Sequence, residues 1–483
     1  MAKRQKGRLQ IVYDKKFNPS FSIKLNCTKL TSKELIKKNE DCIAQGLNSN
    51  LSKIKDLTNW QKNFVIKKLI NHPTLSDDLK IIKSKLPFST LIKTDVKSFY
   101  RVIFNIDSNF RKTKFNYPIP QSFVNDISNE KDFNKFVKLV TSNDNLVNLQ
   151  RSLFKVDDNK NITHRTLFLL GINALKHNNR TYALKYFEYA YKKAYFQSDK
   201  DKVVFWKYLL NNDKILLEKL SKSFSINIYS LYAKELLNVS IDNIIYDIKI
   251  LNKESNFDTL NHFKWMEVLE NTKKNFDEKK LSKYHKLFSS EDTLAHYAFI
   301  LERFYKYKKQ YFITPYKEIL SKYDIERQVL IYSIAKQESH FIPTVASVAT
   351  AQGVMQIMPF LSKDIARRIN KPYNIYEQFV PKVNLEYSNI HLNNLSKQFN
   401  NNPLFMAYAY NGGAGYFKSQ LKRNLFTKRG KYEPFMSIES VSYPETRNYG
   451  KKVLANYYIY NNHINKDNKI KLSTIFQNLI VPH

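Results

Sequence analysis

Ile334–Phe341, read as IAKQESHF, is the stretch that decides how the C-terminal part of this 483-residue chain folds. Ile331, Ile334 and Glu338 recur at successive helical turns, so an apolar stripe ends in a carboxylic acid. Asp324 suits the N-cap of this helix, and Pro343 forces it to end soon after the acid. Glu338 is therefore expected in the last turn or just beyond it. Burial and the negative end of the helix macrodipole both disfavour a carboxylate there, which keeps a proton available near neutral pH, as a general acid requires. The same pattern also fits an ion-paired structural glutamate, so the acid needs company before chemistry is assigned to it.

That company follows in three segments: GVMQIMP (353–359), AYAYNGGAGY (407–416) and YPETRNYGKKVLANY (443–457). In the first, alternation predicts an extended stretch with Val354, Gln356 and Met358 on one side and Met355 and Ile357 on the other, so that one side can line a cleft. A short buried strand with a satisfied glutamine is the plainer reading. In the second, the glycines stop a helix and leave Tyr410 and Asn411 at its C-terminal edge, where a phenol can reach a neighbouring carboxylate. A core tyrosine with a bonded hydroxyl fits equally well. In the third, Glu445 and Tyr449 lie one turn apart if the segment is helical, and Glu445 suits a first turn, where the dipole favours an acid.

In order and spacing, the four segments resemble the motifs of the soluble lytic transglycosylases, murein-cleaving enzymes with a lysozyme-like catalytic domain. The resemblance is firm over residues 310–465 and looser upstream. It implies Glu338 as the catalytic acid and Ser339, Gln356, Met358, Tyr410, Asn411, Glu445 and Tyr449 as glycan-binding residues, with Tyr410 near the acid. It also implies cleavage of the β-1,4 bond between N-acetylmuramic acid and N-acetylglucosamine with one acid, the substrate's acetamido group and C6 hydroxyl completing a 1,6-anhydro product. No metal or organic cofactor is needed. Two carboxylates acting as a pair, the commoner glycosidase arrangement, are not expected, so Glu445 is not read as a nucleophile. Three departures stand out: His340 where the family has a small or aromatic residue, Ala414 where it has proline, and SVATAQG (347–353) where it has a Ser-Pro-containing loop. A hydrolytic muramidase of the goose-lysozyme type and a non-catalytic murein-binding scaffold are the alternative readings.

Nine glycines and fourteen prolines are few for this length, and no sustained alternation appears, so a mainly α protein is expected. Residues 163–195 read as a helical hairpin, with Leu167, Leu170 and Ala174 on one helix and Ala183, Phe187, Ala190 and Ala194 on the next. That is a tetratricopeptide-like unit, and such units need neighbours to bury a core. The expected organisation is an N-terminal extension (1–30), an α-superhelix of helix pairs (31–240), a helical linker (241–308), a lysozyme-like α+β catalytic domain (309–465) and a tail (466–483). This order resembles the large superhelical members of the family.

A formal charge of +36 favours an anionic partner, and the lactyl and peptide carboxylates of peptidoglycan glycan strands suit it. Lysine is spread along the chain rather than gathered in a run, so nucleic acid is not expected. Cell-wall enzymes could dock on the helical region. Cys27 and Cys42 fit either one disulfide or two buried thiols. No stretch approaches the roughly 20 apolar residues of a membrane span. The N-terminus MAKRQKGRLQIVYDKKF is basic without the apolar core of a secretory signal, so a periplasmic location is expected from the resemblance, with the targeting segment outside this sequence.

Overall fold

The computed structural model describes residues 2–5, 8–11, 26–250, 255–427 and 430–480, which form parts of two compact units, 1–194 and 195–483. Most of the N-terminal stretch read for targeting lies outside the described residues. Each unit is mainly α, as expected.

In the first unit the predicted hairpin is present as α1 (His164–Lys176) and α2 (Arg180–Lys193). Thr163 Oγ1 caps α1 by accepting from Thr166 N, and Asn179 Oδ1 caps α2 by accepting from Tyr182 N. Between them Asn178 takes a left-handed conformation, φ 59°, which asparagine tolerates better than most residues. Leu167, Leu170, Ala174, Ala183, Phe187 and Ala190 are all buried, so the periodicity identified the packed faces.

What ties one hairpin to the next is a ladder of side-chain hydrogen bonds to backbone carbonyls. Asn116 Nδ2 donates to Asn145 O, Asn134 Nδ2 to Asn161 O, Asn159 Nδ2 to Ser128 O and Tyr186 Oη to Leu153 O, across 29, 27, 31 and 33 residues respectively. These separations approach the roughly 34 residues of one tetratricopeptide-like repeat. Cys27 and Cys42 are joined by a disulfide, with 5.4 Å between their Cα atoms.

The second unit is organised by six helices: α3 (Leu294–Phe304), α4 (Ile325–Glu338), α5 (Pro359–Arg368), α6 (Pro381–Phe399), α7 (Pro403–Gly412) and α8 (Ala414–Leu421), with a long seventh, α9 (Pro444–Ile464), packed against α4 and α7. Asp324 caps α4, accepting from Arg327 N at 2.7 Å. The helix is buried on all sides from Val329 to Lys336, not merely along the expected stripe. The β component is slight: Ile244–Ile245 pairs in parallel with Gln310–Tyr311, and bridges join Ala346 to Gln352 and Gln352 to Ile357.

The VMQIMP segment is not extended. Residues 353–356 form a tight turn closed by the Gln352–Ile357 bridge, with Gly353 at φ 78° and Gln356 at φ 48°. A Cβ on Gly353 would lie 2.1 Å from Gln378 O, so both conformation and space call for glycine. Positive φ values at the two ends of this turn, Gly353 and Gln356, replace the alternation that a strand would give. Val354 and Met355 are both buried, while Gln356 and Met358 are half-buried.

Candidate active site

Glu338 is the last residue of α4, and Ser339 N closes the helix on Ala335 O. Immediately afterwards the chain takes two left-handed residues in succession, His340 at φ 52° and Phe341 at φ 67°. For non-glycine residues this costs roughly 1–2 kcal/mol each, so the turn must be held. Tyr316 Oη does so by donating to Phe341 O at 2.8 Å. Ser339 Oγ donates to Val354 O at 2.7 Å and pins the end of α4 to the 353–356 turn.

Tyr449, in the second turn of α9, donates its hydroxyl to Glu338 Oε1 at 2.7 Å. Burial pushes the Glu338 carboxyl up, the Tyr449 hydrogen bond pulls it partly back, and the charge of Glu445 adds a further push, so that it titrates at about 7. A carboxyl in this state holds a proton at neutral pH and can also release it.

Tyr410 has a different partner from the one expected. Its hydroxyl donates to Met355 O at 2.7 Å and so anchors the turn rather than the acid. It is still close enough that burial, and then the charge of Glu338, push its phenol far above the usual range. The phenol on the acid is Tyr449. Helix geometry explains the exchange: Tyr410 stands at the end of α7 and meets the loop, whereas Tyr449 stands on the face of α9 that packs along α4.

The other expected residues have other hydrogen-bond partners or positions in the fold. Gln356 Nε2 donates to Val345 O and Gly353 O, so its amide hydrogens close its own turn. Met358 is the N-cap residue of α5 and is half-buried. Asn411 accepts from Thr446 Oγ1 at 2.8 Å, linking the end of α7 to the start of α9. Glu445 is exposed in the first turn of α9, as its position in the sequence suggested.

Sequence reasoning missed the residues that hold these in place. Asn384 on α6 accepts from Met355 N at 2.8 Å and donates to Gln352 O at 3.0 Å, which fixes the turn from behind. Glu302 on α3 grips the acid's helical turn on both sides: Oε1 accepts from Lys336 Nζ at 2.7 Å, and Oε2 lies 3.4 Å from His340 Nδ1. Burial alone would raise the Glu302 carboxyl, but Lys336 and His340 outweigh it and bring it down to about 2. His340 is thus a partner of Glu302 rather than a group facing Glu338.

Residues 315–432 match the family described as the transglycosylase SLT domain. The soluble lytic murein transglycosylase of Escherichia coli K12 is 30% identical over 170 residues, 34% of this chain and 26% of that protein. The Salmonella typhimurium enzyme of the same name is 30% identical over 185 residues, 35% of this chain and 28% of its own length. These matches span about a quarter of each relative. Among solved structures, an inactive mutant of lytic transglycosylase Slt from Pseudomonas aeruginosa has a TM-score of 0.52 at 16% identity, covering 91% of this chain and 75% of that one. The 70 kDa soluble lytic transglycosylase of Escherichia coli gives 0.51 at 16%, covering 92% and 75%, so the likeness in fold runs well beyond the matched domain. Residues 315–432 are thus similar to the transglycosylase SLT domain, and the acid, turn and two helix ends lie in that stretch and in α9, within a chain whose fold resembles that of the solved soluble lytic transglycosylases.

Proposed function

We propose that this chain is a peptidoglycan lytic transglycosylase with Glu338 as its acid–base residue. One observation carries the reading: a single carboxyl, held at the end of a buried helix, hydrogen-bonded by Tyr449 and titrating at about 7. Protonated Glu338 gives its proton to the glycosidic oxygen that leaves N-acetylmuramic acid, while the substrate's acetamido group stabilises the cationic carbon. As a carboxylate it then takes the proton of the C6 hydroxyl as that oxygen closes on C1. The acid returns to its starting state, and the product is a 1,6-anhydro sugar. Ser339, Gln356, Met358, Tyr410, Asn411, Glu445 and Tyr449 line or support the glycan path.

The catalytic domain is taken as 309–465, preceded by the superhelical region (31–240) and linker (241–308). The excess of positive charge, +36 overall, suits an anionic glycan and raises its local concentration. No helix among the described residues is long and apolar enough to cross a membrane. The substrate assigns the protein to the periplasm, where cell-wall enzymes could dock on the helical region.

Mass spectrometry of the soluble fragments released from purified murein tests the reaction. Anhydro products, one water lighter than hydrolytic ones, are expected. Hydrolytic products would make the protein a muramidase of the goose-lysozyme type, and no release at all would leave a murein-binding scaffold.

A further inference from the structure

Beside the acid's surroundings lies a feature that the reaction does not use. Tyr416 in α8 and Tyr443, the residue before α9, stack with ring centroids 4.0 Å apart and planes within 5° of parallel. Further contacts fix the pair in this arrangement. Tyr443 N donates to Tyr416 Oη at 2.7 Å, and that hydroxyl also lies 3.0 Å from Ser442 Oγ. Ser442 is held in turn, its Oγ donating to Gln420 Oε1 at 3.0 Å. Against Tyr416 lies Gly412, where an added Cβ would lie 2.7 Å from the Tyr416 ring and 2.9 Å from Thr446 Oγ1. Gly412 thus lets the backbone approach Tyr416 closely, and the stacked partner ring, Tyr443, remains 56% exposed.

The platform is continuous with the candidate site along two segments. Gly412 follows Tyr410 and Asn411 in α7, and Tyr443 precedes Glu445 and Tyr449 in α9. Six residues at helical rise put Tyr443 about 9 Å along the axis from Tyr449. We propose that the Tyr416–Tyr443 stack is an outlying glycan subsite, in which the open face of Tyr443 takes the C–H face of a pyranose ring away from the bond that Glu338 cleaves. This inference rests on the reading of Glu338 given above.

The chemistry fits one occupant. The electron-rich face of a phenol ring attracts the weakly positive C–H groups that line one side of a β-1,4-linked pyranose, and burying that side removes apolar area from water. A prefixed ring loses little side-chain entropy when a sugar lands on it. Because the contact involves no reacting atom, its contribution is to capture of long strands, and it appears in KM rather than kcat.

Peptide-free glycan strands from purified sacculi, fractionated by length, provide the test. With Tyr443→Ala, kcat/KM on long strands is expected to fall about tenfold, equivalent to ~1.4 kcal/mol, with the deficit shrinking as strands shorten and residing in KM. Tyr443→Phe keeps the ring and should recover most of the loss. In the Glu338→Gln background, Tyr443→Ala should also weaken cosedimentation with sacculi. A wild-type protein that cleaves strands while Tyr443→Ala matches it at every length overturns the subsite alone. A wild-type protein that neither binds nor cleaves sacculi overturns the reading of Glu338 and the subsite with it.

Discussion

Tyr449 donates its hydroxyl to Glu338 Oε1 at 2.7 Å across 111 residues of chain, joining the last residue of α4 to the second turn of α9. The bond stabilises the carboxylate more than the acid, while burial and Glu445 favour the acid, so the proton on Glu338 is held by opposed influences of which burial is the largest.

Removing the titratable group is the first test. Glu338→Gln retains shape and loses the proton, so turnover should fall by roughly 10²- to 10⁴-fold. Cosedimentation with sacculi should survive. Near wild-type release of soluble fragments by this variant would exclude Glu338 from the chemistry.

The opposed influences predict opposite shifts in the pH profile. Activity that needs protonated Glu338 declines as pH rises through about 7. Tyr449→Phe removes the bond that lowers the carboxyl, so the alkaline limb should move up. Glu445→Gln removes the charge that raises it, so the limb should move down. Tyr449→Phe should also slow turnover by an amount worth about 0.5–1.5 kcal/mol. Shifts of the same sign in both variants would contradict this account of the site.

Tyr410 acts on the loop rather than the proton. Tyr410→Phe leaves Met355 O without its donor, at an expected cost of about 1–3 kcal/mol in stability. The alkaline limb should stay close to that of wild type, which separates Tyr410 from Tyr449. Denaturant titration together with the pH profile provides both readings.

Stability should respond to Glu338 with a definite sign. In the unfolded chain the group titrates near its ordinary 4.5, and in the folded protein at about 7, so the folded state holds the proton more tightly. Its contribution is fully present below 4.5 and is lost as pH rises through 7. The neutral Glu338→Gln escapes that loss, which amounts to about 3 kcal/mol at most. Its melting temperature should therefore exceed that of wild type at pH 8 and approach it at pH 4, as scanning calorimetry can establish.

The grip behind the acid is the last test. Lys336→Met leaves the buried Glu302 carboxylate without its lysine, held only by the Tyr311 N–H and the weaker His340 contact, a change expected to cost about 3–5 kcal/mol. The double substitution Lys336→Met with Glu302→Leu should recover much of that stability without restoring full turnover, because the turn through His340 has lost its anchor. Full activity in the double variant would show that Glu302 only fills space.

Helix α4 was legible because its signals are local: a capping aspartate, apolar periodicity and a proline beyond the end. The hairpin α1–α2 was legible for the same reason. The turn at 353–356 was misread because Val, Met and Ile suggest a strand, and Gln356 gives no warning of a positive φ. Gly353 was the available signal, since it opens the turn. The choice of Tyr449 over Tyr410 as the acid's partner lay outside local pattern, because it depends on how α9 lies along α4. Glu302 was invisible in the same way: a glutamate within an apolar helix declares its importance only when Lys336 and His340 are found beside it. The abundance of asparagine looks like compositional drift in the sequence, yet Asn116, Asn134 and Asn159 each hold a carbonyl of a neighbouring hairpin.

That ladder governs how the first unit can change over evolutionary time. Each asparagine reaches a carbonyl about one hairpin away, so inserting or deleting a few residues within a pair misaligns the rungs on both sides and parts these amides from their acceptors. Gain or loss of an entire hairpin carries its own rungs and leaves the others in register. The unit can grow or shrink only in quanta of one hairpin, and the lengths open to its descendants form a discrete series rather than a continuum.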